Sequence, residues 1–394
     1  MSLLSEYEGR TAWKYNPITG RFSTHTELTN KVDDEGRFRP FPGSTVVFKL
    51  DRWACQYLQY VSVRLQERLY GMLAQPIPEA SFHMTLHDLI SPEQADTERV
   101  YADDMRTAYT AQYLCEVTRS LEQAAKAVEE IRSQYSGRHI QMVEDRVVNM
   151  VSKSIVLMLR PVTEEDFAFL LDLYHRFDAV KALSYPLTPH VTLACFKPGA
   201  IDGAQLAEAV KEVQVDGNDP TMFELSVEGL VAQRFADMGH YEDVPERICF
   251  CCDGGMNRSV MAAAILNHEA ERRSIPIRAE ARAAFRNTEG HPIPQSVIKT
   301  LIAHGVPTEV VPGKARYLKR EDYVAFGKMI AMTGGAQIRS KEIGIQEDEY
   351  AMRNGLFLNL PDPQYGASCE TVYGAISERV NRYLDDRATH VGLK

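Results

Sequence analysis

Cys252-Asp-Gly-Gly-Met-Asn-Arg258-Ser259 is the stretch whose reading decides how this 394-residue chain is understood. Before it, Arg247-Ile-Cys-Phe-Cys251 is short, apolar and β-favouring, and reads as a buried strand. After it, Val260 to Arg273 is rich in helix formers. A glycine-containing loop between a strand end and a helix start aims backbone N–H groups and the positive end of the helix dipole at one point. That is an anion site, most often for phosphate. Here it opens with a thiol and closes with a guanidinium. Amides, dipole and Arg258 would all favour the Cys252 thiolate, and Arg258 can grip two phosphate oxygens with its planar fork. The chemistry implied is nucleophilic attack on phosphorus.

In a chain with seven cysteines, a Cys and an Arg six apart carry little weight by spacing alone. The weight comes from a second stretch, Asn359-Leu-Pro-Asp362-Pro363-Gln-Tyr365-Gly366, followed by a helical pattern from Glu370 to Val380. Over about residues 245–394 these features resemble the low-molecular-weight protein tyrosine phosphatase family, which includes related arsenate reductases. Its pattern is a thiolate loop of Cys, five residues and Arg-Ser near the domain start, with an Asp-Pro loop near its end. The turn Gly290-His-Pro-Ile-Pro294 and the helix Val297–Gly305 also sit where that family has a loop and helix. The resemblance implies Cys252 as nucleophile, Arg258 as the phosphate clamp, Ser259 orienting the thiolate and Asp362 as general acid. The loop residues Gly254, Gly255 and Asn257 would face the phosphate, and Tyr365 would form part of the substrate wall.

The chain departs from the family at three positions. Gly255 stands where the family usually has a loop-bracing Asn; glycine reaches the same left-handed backbone without the brace. Asn257 stands where a second Cys protects the nucleophile as a disulfide, and neighbouring Cys251 is a poor substitute. Gln364 replaces the first aromatic of the wall, which argues against a phosphotyrosine protein as substrate.

Composition is that of a globular protein of two or three domains, 44% apolar and 25% charged. A net charge of −10 argues against a sequence-independent DNA or RNA binder, which would show a basic surplus, and leaves room for a local basic cleft. No signal-peptide pattern or long apolar run is present, so a cytoplasmic protein without a membrane partner is expected. Seven cysteines without framework spacing fit a reducing compartment. None pairs with histidines at zinc spacing, so no metal or cofactor is expected.

Residues 1–40 read as an irregular lead-in. Strands are expected at Thr45–Leu50, Ser81–His87, Ser154–Leu159, Pro189–Phe196 and Phe223–Val231. Helices are expected at Cys55–Leu73, Glu116–Gln134, from the capping box at Thr163 to about Lys181, and at Gln205–Val213. Thr333-Gly-Gly-Ala336 reads as a turn after a strand at Lys328–Met332, and Ala232–Arg247 as the domain boundary.

Within this pattern lies an echo. Phe82-His83-Met-Thr85-Leu86 and Pro189-His190-Val-Thr192-Leu193 share His, apolar, Thr, Leu. On a strand, residues i and i+2 face the same way, so each His projects beside its own Thr. Brought together, two such strands offer two imidazoles and two hydroxyls to one cleft. One imidazole would act as base on water and the other as acid on the leaving oxygen, with Thr85 and Thr192 bonding the phosphate. His87 continues the same alternation and is expected at the rim. Over about residues 40–235 this resembles the two-histidine (2H) phosphoesterase superfamily, and the lead-in Gly36–Val47 is similar to a bacterial and fungal branch of it. Members cut cyclic phosphates or other phosphodiesters without metal, on a duplicated α+β fold.

The expectation is therefore an α+β bilobal domain at residues 41–238 followed by a doubly wound α/β parallel-sheet domain at 245–394. Together they would form a bifunctional phosphoesterase acting on a small cyclic phosphate or phosphomonoester, such as a nucleotide, an ADP-ribose-type compound or an RNA end. A different class stays open: a binding or sensor module whose altered loop holds a phosphorylated ligand without turning it over.

Overall fold

The computed structural model describes residues 20–93, 100–102, 108–213, 220–358 and 360–390. The chain divides into two units, Met1–Val244 and Pro245–Lys394. Asn359 of the Asp-Pro stretch lies outside the described residues.

The first unit opens with β1 (Arg21–Ser23) and a 3-10 turn at Thr26–Asn30. Residues 20–40 thus differ from the irregular lead-in that their Gly and Pro content predicts: Leu28 and Val32 are buried in the main core, and Val32 bridges to Phe38. Next come β2 (Gly43–Lys49), α1 (Arg52–Arg68) and β3 (His83–Ile90). Asp51 starts α1 three residues before the expected point, its carboxylate accepting from Ala54 N at 2.7 Å. After α2 (Ala111–Gln134) and β4 (His139–Met150), the same strand–helix–strand order recurs as β5 (Ser154–Pro161), α3 (Glu164–Arg176) and β6 (His190–Cys195). Thr163 is the N-cap, as expected: its Oγ1 accepts from Asp166 N at 3.0 Å, while the Asp166 carboxylate accepts from the Thr163 hydroxyl at 2.7 Å.

β7 (Ala200–Asp202), α4 (Gly203–Val213), β8 (Met222–Ser226), β9 (Leu230–Asp237) and β10 (His240–Val244) complete the unit. The single strand expected at Phe223–Val231 is two strands in two sheets, separated by a 3-10 turn at Val227–Gly229 that Ser226 caps. The stretch expected as a charged boundary is the β9–β10 hairpin. Its charges pair across the strands, with Arg234 on Glu242 at 2.6 Å.

Two four-stranded antiparallel sheets result, ordered β10-β9-β2-β3 and β6-β5-β4-β8, and β1 pairs with β7 in a small third one. The histidine strands β3 and β6 are each an edge of their sheet and lie against one another. α1 packs on β6 and α3 on β3, so each helix of the repeat supports the opposite histidine strand.

In the second unit β11 (Glu246–Cys252), α5 (Arg258–Arg272), β12 (Ile277–Ala283), α6 (Gln295–Ala303), α7 (Asp322–Ala325), β13 (Lys328–Ala331), α8 (Gly334–Ile343), α9 (Glu349–Arg353) and α10 (Cys369–His390) follow in order. The sheet is parallel, ordered β12-β11-β13, with β11 in the centre. Val260 to Leu266 are consecutively buried, because α5 lies between the sheet and α10. Alanines at 262, 263 and 264 let the backbones approach. Asn267 completes the contact: its amide donates to Ala279 O at 2.9 Å and accepts from Ala279 N at 2.7 Å, pairing both backbone groups on the open edge of β12. Thr333-Gly-Gly-Ala336, expected as a turn, is the N-cap and first turn of α8, with Thr333 Oγ1 accepting from Ala336 N.

Gly43 tests the tight seam of the first unit. A Cβ there would lie 2.3 Å from the Phe235 ring and 2.5 Å from Ile90 O. Gly43→Ala is expected to lower stability by about 1–3 kcal/mol, read as a lower urea midpoint at unchanged slope.

Candidate active sites

In the first unit the two motifs are brought to one cavity of about 440 Å³, lined by His83, Thr85, His190 and Thr192. The two rings are held alike. His83 Nδ1 lies 2.8 Å from Ser81 O, and His190 Nδ1 lies 2.7 Å from Thr188 O. A carbonyl only accepts, so Nδ1 carries the hydrogen in both, and Nε2 is the proton-exchanging nitrogen. His83 also packs edge-on to Tyr241, ring centroids 4.6 Å apart. Burial pushes the His83 imidazolium down from 6.5 to about 4; the Ser81 carbonyl opposes this and the charge of nearby His190 adds to it.

The alternation that places His83 and Thr85 on the cavity breaks directly after them. Val47 pairs with Thr85 but Val46 with His87, so Leu86 is an extra residue in β3. In β6 the pairing steps from Thr192 to Ala194, making Leu193 the same insertion three residues after His190. The bulge corrects the expectation for His87: its side chain is fully buried, bonded through Nδ1 to Asp88 O at 2.8 Å and facing Asp178 at 3.4 Å. Asp88 takes the cavity-facing place instead, and Cys195 holds the equivalent place after His190. The carbonyls displaced by the bulges are bonded by side chains, His87 O by Thr45 at 3.1 Å and Leu193 O by Ser62 at 2.8 Å.

Sequence reasoning missed other lining residues. Tyr241 lay in the stretch read as a boundary. Tyr185, whose hydroxyl donates to Asp88 at 2.7 Å, lies in a loop. Lys31 and Lys153 also line the cavity, both paired with Glu93 (3.1 and 3.4 Å), and Lys153 with Glu27 at 2.5 Å. A bulge signal of Leu-His-Asp against Leu-Ala-Cys could have been read only by aligning the two repeats.

In the second unit Cys252 is the last residue of β11, at the carboxyl end of the sheet where the strand order reverses. Its Sγ lies 3.2 Å from Ser259 Oγ, and both residues are buried. Gly255 has φ +61°, the left-handed region. A Cβ there would meet Ala283 backbone N at 2.8 Å and Cα at 2.9 Å, so the loop wraps against the end of β12 too closely for any side chain. Close backbone packing therefore leaves room only for glycine at this point of the loop. Gly254 has room around it.

Arg258 is buried, and its Nη2 lies 2.7 Å from Asp362 Oδ2. Asn257 Nδ2 approaches the other Asp362 oxygen at 3.4 Å, and that oxygen also accepts from Gln364 N at 3.0 Å. Among the described residues, Nε of Arg258 is a buried donor without a partner. The loop therefore holds one carboxylate on its guanidinium, with Nε of that guanidinium unbonded among the described residues. Tyr365 is 83% exposed, on the 3-10 turn that Asp362 caps. Phe285, also exposed, was missed: its N–H donates to Asp253 O, which seats its loop beside Cys252. Cys251 is fully buried, and burial raises its thiol well above the ordinary range, so it is not a ready redox partner.

Among the described residues, no group of three or more His, Cys, Asp or Glu is arranged to hold a metal, and no helix is long and apolar enough to cross a membrane.

Both units carry the layout of phosphoric ester hydrolases, and the chain is a hydrolase of that class. Residues 247–391 match the family model described as low molecular weight phosphotyrosine protein phosphatase. Residues 31–136 match the model 2H-phosphodiest, described as a domain of unknown function (DUF1868). The chain is thus a fusion of a 2H-phosphodiesterase-like domain and a low-molecular-weight protein tyrosine phosphatase domain. Similar solved structures include YfkJ from Bacillus subtilis, 20% identical, covering 37% of this chain and 96% of that one at a TM-score of 0.31. SP-PTP, the low molecular weight protein tyrosine phosphatase from Streptococcus pyogenes, is 20% identical over 36% of this chain and 92% of its own, at 0.29. The YwlE arginine phosphatase from Geobacillus stearothermophilus is 23% identical over 37% and 95%, at 0.31. No curated protein matches the chain.

Two outcomes are expected from these geometries. Gly255→Ala should lower phosphatase kcat by about tenfold or more, because the loop must move off Ala283; turnover of p-nitrophenyl phosphate reads this. For His83, the unfolded ring takes a proton near pH 6.5 and the folded ring only near pH 4. The unfolded state therefore binds more protons between these values, and stability falls as pH drops through that window. His83→Gln should remove at most about 3 kcal/mol of that loss, measured by urea unfolding at pH 7 and pH 4.5.

Proposed function

We propose that the chain is a bifunctional phosphoesterase in which the first unit opens a cyclic phosphodiester and the second removes the resulting monoester. The observation that carries the first half is the matched pair of rings, each with Nδ1 tied to the carbonyl two residues before it. One Nε2 takes a proton from water as its oxygen attacks phosphorus. The other gives a proton to the ester oxygen as its bond to phosphorus breaks, leaving a monoester and an alcohol. Burial keeps His83 neutral near pH 7, which suits the base, and His190 is then the acid. Thr85 and Thr192 would bond the non-bridging oxygens.

In the second unit Cys252 Sγ would attack phosphorus in line, with Ser259 donating to the sulfur at its 3.2 Å separation. The carboxylate of Asp362 now sits on Arg258 where two phosphate oxygens would sit. An arriving phosphate replaces it on the guanidinium, and Asp362, once protonated, supplies the proton to the leaving oxygen. Water then attacks the phosphocysteine, with Asp362 as base. Gly254, Gly255 and Asn257 contribute the loop around the phosphate.

The serial reading rests on chemistry: the first reaction produces the ester class that the second consumes. With Gln364 in place of an aromatic, a polar nucleotide- or ADP-ribose-like leaving group is favoured over phosphotyrosine. The test uses purified variants and a nucleoside 2′,3′-cyclic phosphate. Wild type is expected to release inorganic phosphate. Cys252→Ser should accumulate the monoester, and His83→Ala or His190→Ala should leave the cyclic compound intact. Chelator should alter neither step. Should wild type stop at the monoester, the two units serve separate substrates.

A further inference from the structure

The charges around the first cavity are unusual for a phosphate site. Its described lining holds two lysines, Lys31 and Lys153, against three carboxylates, Glu27, Glu93 and Asp88. The lysines are already engaged by Glu27 and Glu93. Among the described residues no lysine or arginine is paired with Asp88, which is fixed by the Tyr185 hydroxyl at 2.7 Å. It stands on the same strand face as His83 and Thr85, put there by the bulge at Leu86. Its counterpart in the other half of the repeat is the uncharged Cys195. The two halves agree in His, Thr and bulge, and differ in charge at this point.

We propose that Asp88 is a specificity-determining residue that makes the cavity accept singly charged cyclic phosphates and expel doubly charged monoesters. A cyclic phosphodiester carries one negative charge. Its monoester product carries close to two at neutral pH, since the second ionisation lies near pH 6. A fixed carboxylate in a partly enclosed cavity repels the dianion about twice as strongly as the monoanion. The hydrolysis itself thus creates the charge that drives the product out, and the monoester is released rather than retained. The proposal rests on the cyclic-phosphodiesterase reading of the site.

The test is made in the full chain carrying Cys252→Ser and Arg258→Ala, so that the second unit neither consumes nor grips the monoester. Calorimetry is run with adenosine 2′-monophosphate and with adenosine 2′,3′-cyclic phosphate, the latter also in a His190→Ala background that keeps it intact. Asp88→Asn is expected to bind the monoester about tenfold more tightly and the cyclic compound less than about threefold more tightly. Product inhibition of cyclic-phosphate hydrolysis should strengthen in parallel. Tyr185→Phe keeps the charge while removing the hydroxyl that fixes it, and should retain the discrimination. Equal gains for both ligands, or no gain for the monoester, overturn the proposal. So does a Tyr185→Phe variant that behaves like Asp88→Asn, since position and not charge would then be responsible. Absence of cyclic-phosphate turnover in wild type would defeat the activity reading alone, because the calorimetric comparison needs no turnover.

Discussion

Every backbone carbonyl that leaves a ladder inside a protein needs another donor, and this requirement shapes the first unit. β3 and β6 each take in one extra leucine three residues after their histidine. The freed carbonyls are met by Thr45 and Ser62, side chains from β2 and α1. With those bonds made, the kink is fixed and the strand face after the Thr is reassigned. His87 turns into the core and Asp88 turns to the cavity. An unsatisfied buried carbonyl costs about 1–3 kcal/mol, so the kinked arrangement and its polar partners are strongly coupled.

The second unit meets a different constraint, a guanidinium buried at the loop after β11. A buried guanidinium without a partner is costly, and Asp362 supplies the partner at 2.7 Å. The same carboxylate caps the 3-10 turn that carries Tyr365. Asp362, Arg258 and the turn that carries Tyr365 are therefore mechanically one assembly. Asn257, whose amide approaches the second carboxylate oxygen of Asp362 at 3.4 Å, adds to this assembly.

These arrangements also bear on whether the altered loop is degenerate. The glycine at 255 has no space for a side chain and a backbone that favours glycine, so its presence satisfies the packing.

By itself the sequence determined the local chemistry. Short-range patterns announced the strand–loop–helix around Cys252, the capping box at Thr163 and the doubled His-x-Thr, because helix and strand periods and capping bonds involve neighbours in the chain. It also carried the two-part organisation, through motifs that match two different families. Tertiary structure alone decided which way Asp88 and His87 face, because a bulge shows only against the pairing strand. It made Ala232–Val244 a hairpin, since its charges pair across strands and its Tyr241 packs on His83. It turned Thr333–Ala336 into a helix start, where the Thr333 hydroxyl also donates to Asp253, next to Cys252. And it set the carboxylate of Asp362 on Arg258, a contact between residues far apart in the chain that no local pattern encodes, because its energy exists only once both are buried together.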